Sequence, residues 1–218
     1  MIVPGDRIMI GLSGGKDSLI LSLALATLRK RSPVKFDLSS CLVNQTGGEM
    51  DISEIQTFMD ILGIPLFYLE HPTYSIMEKR AERSPCSLCA NLRRGILAWQ
   101  AQQKGANVLA LGHHKDDAVE TVLLNLFYGG RFKCYQPNMV MSRTGIKVVR
   151  PLVNIEERRI ALEATRLELP VANSCCPYSD KSKRNSAKKI LGEIEKEIPE
   201  IKSNIIHALK NILKDDVW

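Results

Sequence analysis

The stretch Ile8-Met9-Ile10-Gly11-Leu12-Ser13-Gly14-Gly15-Lys16-Asp17-Ser18 decides the fold. An apolar run of strand length ends in Ser-Gly-Gly and feeds a helical pattern. Such a turn offers backbone N–H groups to an anion. Its glycines let the main chain approach closely, and the helix N-terminus adds partial positive charge. Lys16 supplies a full charge, and Ser13 and Ser18 supply hydroxyls. The stretch is not a G-x-x-x-x-G-K-[ST] loop, because Ile10 occupies the first glycine position and Asp17 follows the lysine. The bland alternative is an ordinary glycine-containing strand–helix turn; Lys-Asp-Ser after the glycines favours a nucleotide.

Outward from this loop, short apolar runs alternate with longer helical patterns, which predicts an α/β protein. Strands are expected over 6–12, 36–44, 64–69, 107–112 and 146–149. Helices are expected over 17–30, from Asp51 or Ser53 to Leu62, over 87–104 and over 116–128. From Ile155 onward the chain reads as mostly helical and polar. Parallel strands need right-handed crossovers, so the expected architecture is a doubly wound parallel sheet with helices on both faces. Residues 1–152 form the nucleotide-binding domain in this reading, and 153–218 a helical C-terminal segment packed on it.

A second motif, Gly112-His113-His114-Lys115-Asp116-Asp117, follows the fourth strand as the first loop follows the first strand. Ligands in doubly wound sheets bind outside the carboxyl ends of the strands, where both motifs lie. Asp116 and Asp117 suit helix capping. They also suit Mg²⁺, a hard ion that prefers oxygen ligands, with Asp17 across the sheet edge. Adjacent side chains on a strand diverge, so His113 and His114 read as hydrogen-bonding groups rather than a pair of metal ligands.

The chain has 218 residues, a net charge of +6, and no apolar run of membrane-spanning length. Its first residues carry neither a basic n-region nor a signal-peptide core, so a cytoplasmic protein is expected. The positive charge fits a polyanionic partner. Its densest cluster is Lys181, Lys183, Arg184, Lys188 and Lys189 with no acid between them, read either as an RNA contact or as a solvated basic face.

Six cysteines in such a chain point to metal or redox chemistry rather than a disulfide framework. Cys41 lies in an apolar stretch and reads as core, and Cys134 has no assignable role. Cys86-Ser87-Leu88-Cys89 at a helix start suits half a zinc site, a redox pair, or two ligands of an iron–sulfur cluster. Cys175 and Cys176 are the distal partners.

Ser13–Ser18 resembles the PP-loop of the ATP pyrophosphatase superfamily, whose members release pyrophosphate and leave AMP on the substrate. Gly-His-His-x-Asp-Asp is similar to a segment of its tRNA-modifying branch. Within that branch, the C-x-x-C followed by Leu92-Arg93-Arg94-Gly95-Ile96-Leu97 resembles the tRNA 2-thiocytidine synthetase family. So do Leu124-Asn125-Leu126-Phe127-Tyr128-Gly129-Gly130 and Val149-Arg150-Pro151-Leu152. The lysidine synthetases, which Glu120 suits, lack the C-x-x-C.

The resemblance implies ATP, Mg²⁺ and a [4Fe-4S] cluster on Cys86, Cys89 and Cys176, with Cys175 as the alternative third ligand. It implies an anticodon-loop cytidine of tRNA as substrate, and a sulfur donor such as a cysteine desulfurase or free sulfide; a homodimer is left open. Its catalytic group is Lys16, Asp17, Asp116, Asp117, Cys86 and Cys89. Its nucleotide contacts are Ser13, Gly14, Gly15, Lys16, Asp17, Ser18, Gly112 and His113. Gln45 departs from the family pattern, which carries Asp there, and fewer residues precede the first strand. Competing readings are a persulfide-using thiolase without a cluster, a thiolase acting on a small molecule, and a non-enzymatic ATP- and RNA-binding module with structural zinc.

Overall fold

A computed structural model of the chain describes residues 1–46, 50–80, 85–172 and 183–211. Cys175, Cys176 and Lys181 lie outside the described residues. The first strand, β1 (Arg7–Leu12), leads into helix α1 (Lys16–Arg31), then β2 (Asp37–Asn44), α2 (Ser53–Ile61) and β3 (Leu66–Glu70). Helices α3 (Thr73–Lys79) and α4 (Pro85–Gln103) precede β4 (Val108–Leu111) and α5 (Lys115–Gly129). A hairpin of β5 (Asn138–Val140) and β6 (Lys147–Val149) follows, then α6 (Glu157–Arg166), α7 (Lys183–Glu197) and α8 (Ile201–Lys210).

The six strands form one sheet in the order β3-β2-β1-β4-β6-β5. All neighbours pair in parallel except β5 with β6. The sheet is therefore doubly wound, with one antiparallel edge strand that the apolar pattern does not announce. Strand order reverses between β1 and β4, so the loops after these two strands flank the switch point where such sheets open a ligand crevice.

Side chains on a strand alternate between faces, and this separates two cores. Ile8, Ile10 and Leu12 of β1 join Val108 and Ala110 of β4 on the side of α1 and α2. Met9, Cys41 and Leu109 face Leu97, Ala98 and Ala101 of α4 on the other. Cys41 is fully buried there, and burial pushes its thiol up to about 11. A third cluster joins Val119 and Leu123 of α5 to Ala187 and Leu191 of α7. Leu152 and Ile160 belong to the first core, where α6 packs against α1.

Candidate active site

The loop after β1 is held by its own hydroxyls. Ser18 Oγ donates to the Gly15 carbonyl at 2.9 Å and accepts from the Ser13 amide at 3.1 Å. The hydroxyl of Ser18, expected as a ligand donor, is thus committed to the loop's main chain. Gly14 has φ of +75°, a conformation that favours glycine. Helix α1 begins without a side-chain cap, which leaves its first amides for an anion.

Helix α5 begins differently. The His114 side chain accepts from the Asp117 amide at 3.3 Å, and Asp117 Oδ2 accepts from the His114 amide at 3.1 Å. This capping box closes the N-terminus of α5. With Nδ1 an acceptor, the His114 ring carries its proton on Nε2. That nitrogen lies 3.4 Å from Asp117 Oδ2 and 3.9 Å from Asp17 Oδ1. One imidazole edge therefore gathers the carboxylates of both motifs. The two helix starts also touch: a Cβ on Gly112 would sit 3.0 Å from the Asp17 carbonyl oxygen and 3.2 Å from the Ser18 nitrogen.

Asp116 does not join this group. Buried on the Nδ1 side of His114 at 3.8 Å, it accepts from the Glu157 amide at 2.7 Å and pairs with Lys202 at 2.8 Å. Successive residues at a helix start point in different directions, so only one member of the Asp pair can face the loop. Asp117 is that member. Asp17 Oδ1 is buried with no hydrogen bond and is ion-paired to Lys16 Nζ at 3.2 Å, and a carboxylate oxygen so placed suits a hard cation. Among the described residues, no three His, Cys, Asp or Glu side chains form a metal cage. Mg²⁺ needs none when phosphate oxygens complete its shell.

Lys16 makes a contact that sequence reasoning missed. Its Nζ lies 3.0 Å from Glu157 Oε1 and 3.2 Å from Asp17 Oδ1. Burial works against the ammonium, yet Glu157 and Asp17 hold its pKa above the ordinary lysine value. Glu157 also pairs with Lys188 at 2.7 Å. Burial opposes that carboxylate too, and the two lysines override it, holding it down at about 2.

His113 lies at the back of the site. Arg150, buried beneath it, donates from Nε to His113 Nδ1 at 3.1 Å and stacks over the Tyr135 ring at 4.6 Å. Burial first, and the neighbouring arginines with it, press the imidazole down to about 4, so it is neutral with its proton on Nε2.

The loop, Asp117 and His113 open onto a cleft of about 240 Å³ whose far wall is α4, through Ala90, Arg93 and Arg94. Arg93 donates to the Leu12 carbonyl at 2.7 Å, pinning α4 to the end of β1. Cys86 and Cys89 stand on the first turn of the same helix. Residues four apart share a helix face, so Cys86 lies above Ala90 and Cys89 above Arg93 on the side lining the cleft. That spacing was readable in the sequence and would have identified Arg93. Cys86 is exposed, Cys89 half-buried, and neither is in a disulfide. Gln45 donates to Thr73 Oγ1 at 3.1 Å and to the Cys89 carbonyl at 3.4 Å, tying the end of β2 to this turn.

Residues 3–191 match the PP-loop domain family. A protein of Pelobacter propionicus named tRNA-cytidine(32) 2-sulfurtransferase is 43% identical, over 97% of this chain and 80% of that protein. One of the same name from Geobacter metallireducens is 40% identical, over 97% and 84%. The chain belongs to the tRNA-cytidine(32) 2-sulfurtransferase family of PP-loop proteins. Among solved structures, the U34-tRNA thiolase NcsA of Methanococcus maripaludis with its [4Fe-4S] cluster superposes with a TM-score of 0.77 at 28% identity, over 97% of this chain and 74% of that one. An NH3-dependent NAD synthetase of Campylobacter jejuni, at 16% identity and a TM-score of 0.52 over 96% of this chain and 79% of that one, shares the fold alone. The chain carries both cysteines of its C-x-x-C on the helix that walls its PP-loop cleft. No helix among the described residues is long and apolar enough to cross a membrane.

Proposed function

We propose that the protein is an ATP-dependent tRNA sulfurtransferase that replaces the C2 oxygen of an anticodon-loop cytidine by sulfur. The observation that carries this reading is the shared cleft, where the PP-loop, Asp117 and the cysteine-bearing helix meet. The relatives' names supply the reaction class.

ATP rests its phosphates on residues 13–18, against the uncapped start of α1. The C2 oxygen of the base attacks the α-phosphorus, the bond to pyrophosphate breaks, and the base is left O-adenylated. Lys16 and the α1 amides stabilise the charge that moves onto pyrophosphate. Asp17 and Asp117 would hold Mg²⁺, which neutralises phosphate charge when bound. Hydrosulfide then attacks C2. The bond from C2 to the adenylated oxygen breaks, AMP leaves with that oxygen, and the sulfur proton is lost to solvent. Arg93, half-buried at the cleft wall, is a fixed cation for the departing AMP phosphate. Cys86 and Cys89, with Cys176, would hold a [4Fe-4S] cluster, which supplies an open iron position for sulfide.

Incubating anaerobically prepared protein with tRNA, ATP, Mg²⁺ and sulfide, followed by nucleoside mass analysis, tests this. The wild type forms 2-thiocytidine; Cys89→Ala forms none while ATP affinity stays within about twofold, because Cys89 stands on the wall of the cleft opposite the PP-loop. Thiolation by Cys89→Ala, or by a colourless iron-free wild type, would contradict the cluster assignment.

A further inference from the structure

Helix α5 carries Val119, Leu123 and Phe127 at a spacing of four, one apolar stripe. Helix α7 covers the first two through Ala187 and Leu191. Phe127 is left 48% exposed, beside Tyr128 at 52% and Phe132 at 46%. Three large aromatic side chains close in sequence are thus each about half exposed, and exposed apolar surface of this kind marks an interaction surface.

The chain through and after the patch carries charge of one sign. No Asp or Glu occurs from residue 121 to 155, and Arg131 and Lys133 on either side of Phe132 are exposed. Lys183 at the start of α7 sits over the Tyr128 ring at 4.5 Å. Lys188, further along the same helix, reaches Glu157 beside the PP-loop. The basic first half of α7, its Arg184 paired with Glu120 at 3.2 Å and Asp117 at 3.5 Å, thus runs beside α5 from the aromatic patch to the phosphate end of the cleft.

The chain after α5 retraces the same path. Asn125 Nδ2 donates to the Lys133 carbonyl at 2.8 Å, and Cys134 Sγ donates to the Ala118 carbonyl at 3.4 Å. The Tyr135 ring then lies 5.0 Å from that of His113, a lining residue of the cleft. Tyr135 Oη is buried there without a hydrogen-bond partner. The strip starts on open aromatic rings and ends at an unsatisfied hydroxyl by the reaction site.

We propose that the strip from Phe127 to Tyr135, with the basic face of α7, is the surface on which single-stranded RNA stacks as its target base enters the cleft. The proposal rests on the tRNA-modifying reading above. Bases of any sequence stack on aromatic rings, and the flanking lysines and arginines meet the phosphates. A second copy of the chain fits poorly, because a twofold contact would set this basic patch against itself.

Fluorescence anisotropy of an anticodon stem–loop RNA with the full chain, beside a blunt RNA duplex, tests it. Phe127→Ala/Tyr128→Ala weakens stem–loop binding at least about tenfold, since stacking on each aromatic ring is worth about fivefold or more and the variant removes two. ATP affinity is unchanged, duplex binding changes little, and Phe127→Tyr/Tyr128→Phe binds like the wild type. Arg131→Gln/Lys133→Gln lowers the slope of log affinity against log salt by about 0.7 for each phosphate that the variant no longer neutralises. Equal stem–loop affinity in the wild type and the double alanine variant overturns the proposal, as does that result with an altered native mass, which assigns the patch to self-association. A wild type that binds no stem–loop overturns both this surface and the function it rests on. A wild type that binds it in this patch-dependent way but never thiolates it contradicts the reaction and supports the surface.

Discussion

Lys16 Nζ lies 3.0 Å from Glu157 Oε1, joining residues 141 positions apart at the mouth of the PP-loop. With Lys188 on its other oxygen, Glu157 is a carboxylate seated between two cations that phosphate would also seek. It is therefore a resident anion that a nucleotide must displace.

Removing that competitor should strengthen nucleotide binding. Glu157→Gln is expected to tighten ATP by several-fold, about 1 kcal/mol for a partly exposed ion pair, read by calorimetric titration. Weakened binding would mean that Glu157 props Lys16 in place rather than competing. The effect should hold across the neutral range. The stabilisation from Glu157 is present above the ordinary glutamate pKa and lost only as pH falls toward about 2. That of Lys16 is lost only as pH rises through a value above the ordinary lysine one.

His113 makes stability depend on mild acid. Its folded pKa, about 4, lies below the unfolded value near 6.5, so the unfolded chain binds the proton first. The stabilisation is present above about pH 6.5 and lost progressively as pH falls toward 4. Denaturant midpoints measured from pH 7.5 to 4.5 should fall in the wild type. They should fall less in His113→Gln, which can keep an acceptor for Arg150 but does not titrate. Parallel curves for the two proteins would remove His113 as the cause.

The two adjacent aspartates should separate by readout. Asp117→Asn is expected to lower pyrophosphate release by about 100-fold or more, and to raise the Mg²⁺ concentration needed for half-maximal rate. Asp116→Ala strands the Glu157 amide and one bond of Lys202, and should cost about 2 kcal/mol of stability with little change in Mg²⁺ dependence. Chemical denaturation and Mg²⁺ titration of both variants give the comparison.

Much of this site was readable before folding because its chemistry sits at strand ends. Glycines, apolar alternation and cap residues mark β1, β4 and the helices after them, and those strands flank the switch point. Strand β5 was not legible: three residues after Pro137 carry too little alternation to distinguish from loop. Helix α3 opens behind Pro72 with no side-chain cap, so its start has no local signal. Helix α4 opens at Pro85 rather than near Ser87, which brings Cys86 onto the helix face above Ala90. Glu157 and Arg150 were missed for another reason. Each acts through a partner far along the chain, Lys16 and His113, and only the packed sheet brings them together.

In the proposed reaction ATP activates the cytidine C2 oxygen and sulfur expels it with AMP. Anaerobic turnover of tRNA carrying heavy oxygen at cytidine C2, with mass analysis of the nucleotide products, tests it directly. The label is expected in the phosphate of AMP, one atom for each 2-thiocytidine formed, with none in pyrophosphate. Label in pyrophosphate or released to water, alongside unlabelled AMP, would contradict it.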